Sequence, residues 1–149
     1  MRNFVELSAS HDTAGPSIEL RIRFSCDDFS GQGAAYFDAR SLQLTAEKLQ
    51  AFPLSPMTPI IIEGGYFGPA QPAVLREKHV SLRFSAGDKS PIELRVGAGV
   101  PRDHKHGTRH WAEATYLIDY VQLEAFSKAL SALINGKEAS VKIDLQAFG

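Results

Sequence analysis

With 149 residues, 44% of them apolar and 22% charged, the chain has the size and makeup of an ordinary folded domain, which excludes extensive disorder. Sixteen basic residues nearly cancel seventeen acidic ones, and a net charge of -1 gives no overall field to draw in nucleic acid or an anionic membrane. A single cysteine, Cys26, excludes an intramolecular disulfide and fits a reducing, cytoplasmic compartment.

The opening segment, Met1 to Leu7, lacks the apolar core of a signal peptide, and Phe4–Leu7 reads as an edge strand. No stretch reaches the roughly eighteen apolar residues of a membrane span. Period-2 alternation then sets in: Ile18, Leu20, Ile22 and Phe24 point one way while Glu19, Arg21 and Arg23 point the other. The same pattern returns at Val80–Phe84, Ile92–Val96 and Val141–Leu145. Such clean alternation predicts antiparallel pairing, with one face on a core and one in water. Further strands are expected at Ala34–Phe37, Pro59–Glu63 and Trp111–Ile118.

Two segments carry the helical period. Leu42, Thr45, Leu49 and Phe52 form one stripe, predicting a helix from about Ser41 to Phe52 that Pro53 stops. Leu123, Phe126, Leu130, Leu133 and Ile134 form another, with Asp119 and Gln122 spaced as a capping box and Gly136 placed for a left-handed C-cap.

The halves correspond. Ile18-Glu19-Leu20-Arg21 recurs as Ile92-Glu93-Leu94-Arg95, Phe37-Asp38 answers Ile118-Asp119, and Leu42, Leu49 and Phe52 answer Leu123, Leu130 and Leu133. Residues 1–149 therefore read as one α+β domain of mostly antiparallel sheet with two amphipathic helices. Two strand–strand–helix half-repeats build it, one at about 17–54 and one at about 79–145. The proline-rich stretch 53–59 reads as a rigid connector within that domain, because either half alone is too small to bury a good core.

Chemistry-bearing residues are few. Residues 101–110 hold three of the five histidines. His104, His106 and His110, with Asp103, supply imidazole and carboxylate groups of the kind zinc accepts, although without a recognised ligand spacing. Arg102 and Arg109 in the same loop offer contacts to a phosphate or a partner. Glu63-Gly64-Gly65-Tyr66-Phe67-Gly68-Pro69 follows an apolar run but leads into no helix, so it reads as a turn or bulge rather than a phosphate loop. Tyr66 and Phe67 there, and Trp111 further on, are candidate partner-binding aromatics. Cys26 is followed by Asp27 and Asp28, whose charges oppose a thiolate, and the two aspartates read as turn residues. His11 falls in a polar loop, and His79 reads as a structural histidine at a strand start.

The half-repeat from Ile18 through Phe52, its partner from Ile92 through Ile134 and the final strand Val141–Leu145 resemble small bacterial proteins of unassigned function. They are similar to the WapI-type immunity proteins of bacterial toxin systems. That resemblance implies a non-catalytic protein that binds and neutralises a partner, and it transfers no catalytic or metal residue. No nucleotide fingerprint, nucleophile elbow or zinc-protease signature stands in the chain. The sequence thus favours a protein-binding module without a cofactor. The alternatives are a metal-dependent enzyme centred on His104, His106 and His110, and a structural protein that pairs an exposed strand edge with a second copy.

Overall fold

The computed structural model describes residues 3–13, 15–50, 53–67, 75–87, 92–100 and 110–145. Two four-stranded antiparallel sheets and two helices make an α+β fold. In chain order the elements are β1 (Phe4–His11), β2 (Ser17–Cys26), β3 (Phe29–Asp38), α1 (Ala39–Lys48), β4 (Ile60–Phe67) and β5 (Leu75–Ala86). They continue as β6 (Ile92–Val100), β7 (His110–Ile118), α2 (Tyr120–Ile134) and β8 (Ser140–Asp144). The strand order is β3-β2-β1-β8 in sheet A and β4-β5-β6-β7 in sheet B.

Alternation decides what is buried. Ile18, Leu20, Ile22 and Phe24 of β2 turn inward and are buried, as are Val80, Leu82 and Phe84 of β5 and Ile92, Leu94 and Val96 of β6. These residues join Val5 and Leu7 of β1 and the apolar stripe of α2 in one hydrophobic cluster, within which Phe84 and Phe126 meet edge to face at 5.5 Å. β1 is longer than Phe4–Leu7 and is no edge strand: it pairs with β2 on one side and with β8 on the other.

Both helices start on an aspartate. The Asp38 carboxylate accepts from the Ser41 backbone N–H at 2.9 Å and from its hydroxyl at 3.0 Å, and the backbone bond is the main reason its pKa lies below the usual value. Asp119 accepts from the Gln122 N–H at 2.8 Å while the Gln122 side chain accepts from the Asp119 N–H at 3.0 Å, the expected capping box. At the other end of α2, Gly136 takes φ +75° and its N–H donates to Leu133, while Lys137 donates to Ala132, so a left-handed glycine closes the helix. His11 adds a further bond there, its Nε2 donating to the Ile134 carbonyl at 3.0 Å, which ties the end of β1 to the end of α2.

α1 ends earlier than the expected Phe52. Its last turn tightens, with Leu49 donating to Ala46 and Gln50 to Glu47, and the Gln50 side chain leaves the helix to donate to Ser127 of α2 at 3.2 Å. The Ser127 hydroxyl in turn donates to the Ala46 carbonyl at 2.9 Å, joining the helices across a buried contact. Leu54 of the connector is buried, and its N–H donates to the Tyr120 hydroxyl at 3.1 Å.

Register pairs Ile18 with Phe37 in sheet A and Ile92 with Ile118 in sheet B. Positions that match between the halves in sequence therefore hold the same places, each one residue before a capping aspartate. β8, in contrast, leaves the second half and joins sheet A beside β1.

The two sheets meet through β3, which touches all four strands of sheet B. Along β3, Gly31 lies against Ala112 of β7 and Ala98 of β6, Gly33 against the backbones of Gly99 and His79, and Ala35 against Gly64 of β4. Successive residues of one strand meet successive strands of the other sheet, so β3 runs across sheet B. A Cβ on Gly33 would strike the His79 carbonyl and the Gly99 backbone, neither of which is a flexible side-chain end. Gly33→Ala is therefore expected to lower stability by about 3 kcal/mol in urea titrations. Gly15→Ala, where nothing lies within 4 Å, should change it by less than about 0.5 kcal/mol.

Candidate functional site

Beside the crossing, the ends of β4 and β6 and His79 of β5 stand by the outer face of β2 and β3, enclosing a cleft of about 540 Å³. Glu19 and Arg21 of β2 line one side with Gln32–Tyr36 of β3, and Gly65–Phe67, His79, Gly99 and Val100 line the other. Three aromatic rings stand out around it: Tyr36 is 66% exposed, Tyr66 57% and Phe67 46%. Rings so exposed on one cleft are costly in water and well suited to contact with a partner.

β4 carries its aromatics to this position through irregular pairing. Its register against β5 shifts between Gly64 and Gly65 and again between Tyr66 and Phe67, in keeping with the bulge read from the glycines. At Gly65 a Cβ would run into the Glu77 carbonyl, so a side chain there would push the two strands apart. Phe37 and Ala35 press on Gly64 from β3, at 2.7 and 2.8 Å from the position its Cβ would take.

Among the residues lining the cleft, Glu19 and Arg21 carry opposite charges. Arg21 lies 4.0 Å from Glu19, and His79 Nε2 lies 3.3 Å from a Glu77 carboxylate oxygen with both side chains largely buried. Glu19 also stands opposite Tyr36 across the β2–β3 ladder, and its negative charge is the main reason the Tyr36 hydroxyl's pKa is raised. Among the described residues lining the cleft there is no serine, threonine, cysteine or lysine. Cys26 sits at the far end of β2, where burial first and Asp27 second push its thiol above the usual range, leaving little thiolate at neutral pH. Asp27, with φ +54°, and Asp28 form the two-residue turn between β2 and β3, as the sequence suggested.

A second cleft of about 320 Å³ shares Gln32, Gly99 and Val100 with the first and adds Ser30, Gly31, His110 and Trp111. The candidates chosen from sequence thus fall into two adjoining places: Tyr66 and Phe67 in the larger cleft, Trp111 and His110 in the smaller. Trp111 has a further role. Its indole lies where the Cβ atoms of Gly97 and Gly99 would be, covering two strand glycines that have no side chains of their own to pack. Its Nε1 donates to Glu113 at 3.3 Å, and Glu113 pairs with Arg95 at 3.4 Å. His110 is the exposed first residue of β7. Arg102, Asp103, His104, His106 and Arg109 lie outside the described residues, and among those described no three histidine, cysteine or acidic side chains gather as a metal set.

Tyr36, Arg21, His79 and Val100 were not singled out from the sequence as site residues. Tyr36 was within reach: once β3 is extended back to Phe29, Gln32, Ala34 and Tyr36 share the outward parity, and Tyr36 is the large apolar ring among them.

No family model matches the chain, and neither a curated protein nor a solved structure matches it. The site's own geometry separates the aromatics. Trp111→Ala uncovers Gly97 and Gly99 and is expected to cost on the order of 2 kcal/mol in chemical denaturation. Tyr66→Ala, at an exposed ring, should cost less than about 0.5 kcal/mol.

Proposed function

We propose that the protein is a non-catalytic protein-binding module whose partner docks in the cleft rimmed by Tyr36, Tyr66 and Phe67. The observation that carries this reading is the convergence of three exposed aromatic rings, from β3 and from the bulged end of β4, on one cleft of about 540 Å³. Aromatic side chains supply much of the energy of protein–protein contacts, and here they stand clear of the core, free to be covered. Glu19 and Arg21, 4.0 Å apart, set opposite charges in the lining, so neither sign dominates it. That suits a partner segment anchored by apolar side chains better than a strongly acidic or basic one.

The toxin-neutralising role implied by the resemblance to immunity proteins is one form of this proposal, as is a cytoplasmic setting. No helix among the described residues is long and apolar enough to cross a membrane. Equal register and equal capping aspartates in the two halves support the further reading that they are copies of one unit, which gives the module two sheets to set against each other.

The test is a pull-down from host-cell lysate with the tagged protein and with a Tyr66→Ala/Phe67→Ala variant, quantified by mass spectrometry. The proposal expects one stoichiometric partner, retained at least about tenfold less by the variant. Equal retention by both proteins, or no partner recovered above a mock control, contradicts it.

A further inference from the structure

β3 is an edge strand of sheet A, paired among the described residues with β2 alone. Its register with β2 is unbroken over ten residues, and it contains neither proline nor lysine, the residues that usually blunt an edge. The other edge of sheet A, β8, has five residues, and β4 at an edge of sheet B is interrupted by two register shifts. β3 is thus a long regular edge, and the cleft lies along it. Five consecutive residues, Gln32 to Tyr36, line that cleft. Side chains of a strand alternate between faces, so an unbroken run of lining residues means that the strand's backbone itself is presented.

The direction of the backbone groups follows from the hairpin. A two-residue turn closes on a pair that exchanges both hydrogen bonds, here Cys26 and Phe29. Counting on from that pair, Gly31, Gly33 and Ala35 bond to β2, while the N–H and C=O groups of Gln32, Ala34 and Tyr36 point away from it. Among the described residues no backbone hydrogen bond takes up these outward groups. From Gln32 to Tyr36 they span about 14 Å, the reach of five extended residues. Across the groove stand Tyr66, Phe67 and Val100, the apolar wall that side chains of an added strand would meet.

From this we infer that the partner binds by strand addition: an extended segment of the partner protein lies along β3 and hydrogen-bonds to Gln32, Ala34 and Tyr36. At alternate positions it places apolar or aromatic side chains against Tyr66 and Phe67. Main-chain bonds hold the segment and the wall selects its side chains, a division of labour common to edge-strand recognition. The inference rests on the cleft being the docking site and adds how it is used.

A phage-displayed library of random ten-residue peptides, panned on the full-length protein, supplies the probe. The enriched peptide is then synthesised and titrated by calorimetry against the wild type, Ala34→Pro and Tyr66→Ala. Proline at 34 removes an outward N–H without touching a bond to β2, and edge strands tolerate it there. Amide exchange on the wild type with and without peptide gives a readout that needs no variant. Strand addition predicts that Ala34→Pro weakens binding by about tenfold or more. It also predicts that the amides of Gln32, Ala34 and Tyr36 exchange at least about tenfold more slowly in the complex. Binding that falls with Tyr66→Ala but survives Ala34→Pro, with exchange at those three amides unaltered, overturns strand addition and leaves the cleft as the docking site. A peptide indifferent to both substitutions, or a library that yields none, overturns both.

Discussion

The fold depends on how closely β3 approaches sheet B. Gly33 lies against the backbones of His79 and Gly99, and Gly31 and Ala35 lie against Ala112 and Gly64 on either side. Larger side chains at these places would hold the sheets apart, and the core between Phe24, Phe84 and Phe126 would lose its close packing. Gly99 is constrained twice over, with Gly33 against its backbone and the Trp111 indole where its Cβ would be. A ring that first looks like a surface feature therefore belongs to the same stack as the crossing.

The crossing also produces the cleft. Where β3 runs across sheet B, the ends of β4 and β6, with His79 of β5 between them, face the outer side of sheet A. The register shifts at Gly64–Gly65 and Tyr66–Phe67 take the end of β4 out of regular pairing, and two aromatic rings stand on the rim there. One strand thus serves two ends. Its inner parity, Gly31, Gly33 and Ala35, joins the sheets, and its outer parity, Gln32, Ala34 and Tyr36, lines the site.

Much of the scaffold was legible from residue patterns. Inward Ile18, Leu20, Ile22 and Phe24 follow directly from period 2, and the Asp119–Gln122 box and Gly136 mark both ends of α2, because these signals are local. What escaped was non-local. The first half of β3, Phe29 to Gly33, has two glycines where a strand former is expected, and only their contact with sheet B explains them. The interior place of β1 depends on β8 returning from the far end of the chain, which no window of sequence displays. For the site, Tyr66 and Phe67 were found by their glycine-rich setting, whereas Tyr36 and Arg21 come to it through the crossing.

β3 is bonded to β2 on one side and open on the other, a difference that amide hydrogen exchange of the unliganded protein reads residue by residue. Gly31, Gly33 and Ala35, bonded to β2 and pressed on sheet B, should exchange as slowly as the buried core of β2. Gln32, Ala34 and Tyr36, alternating with them, should exchange nearly as fast as exposed amides. Uniform protection along β3, or rapid exchange at Gly33, would contradict one-sided bonding.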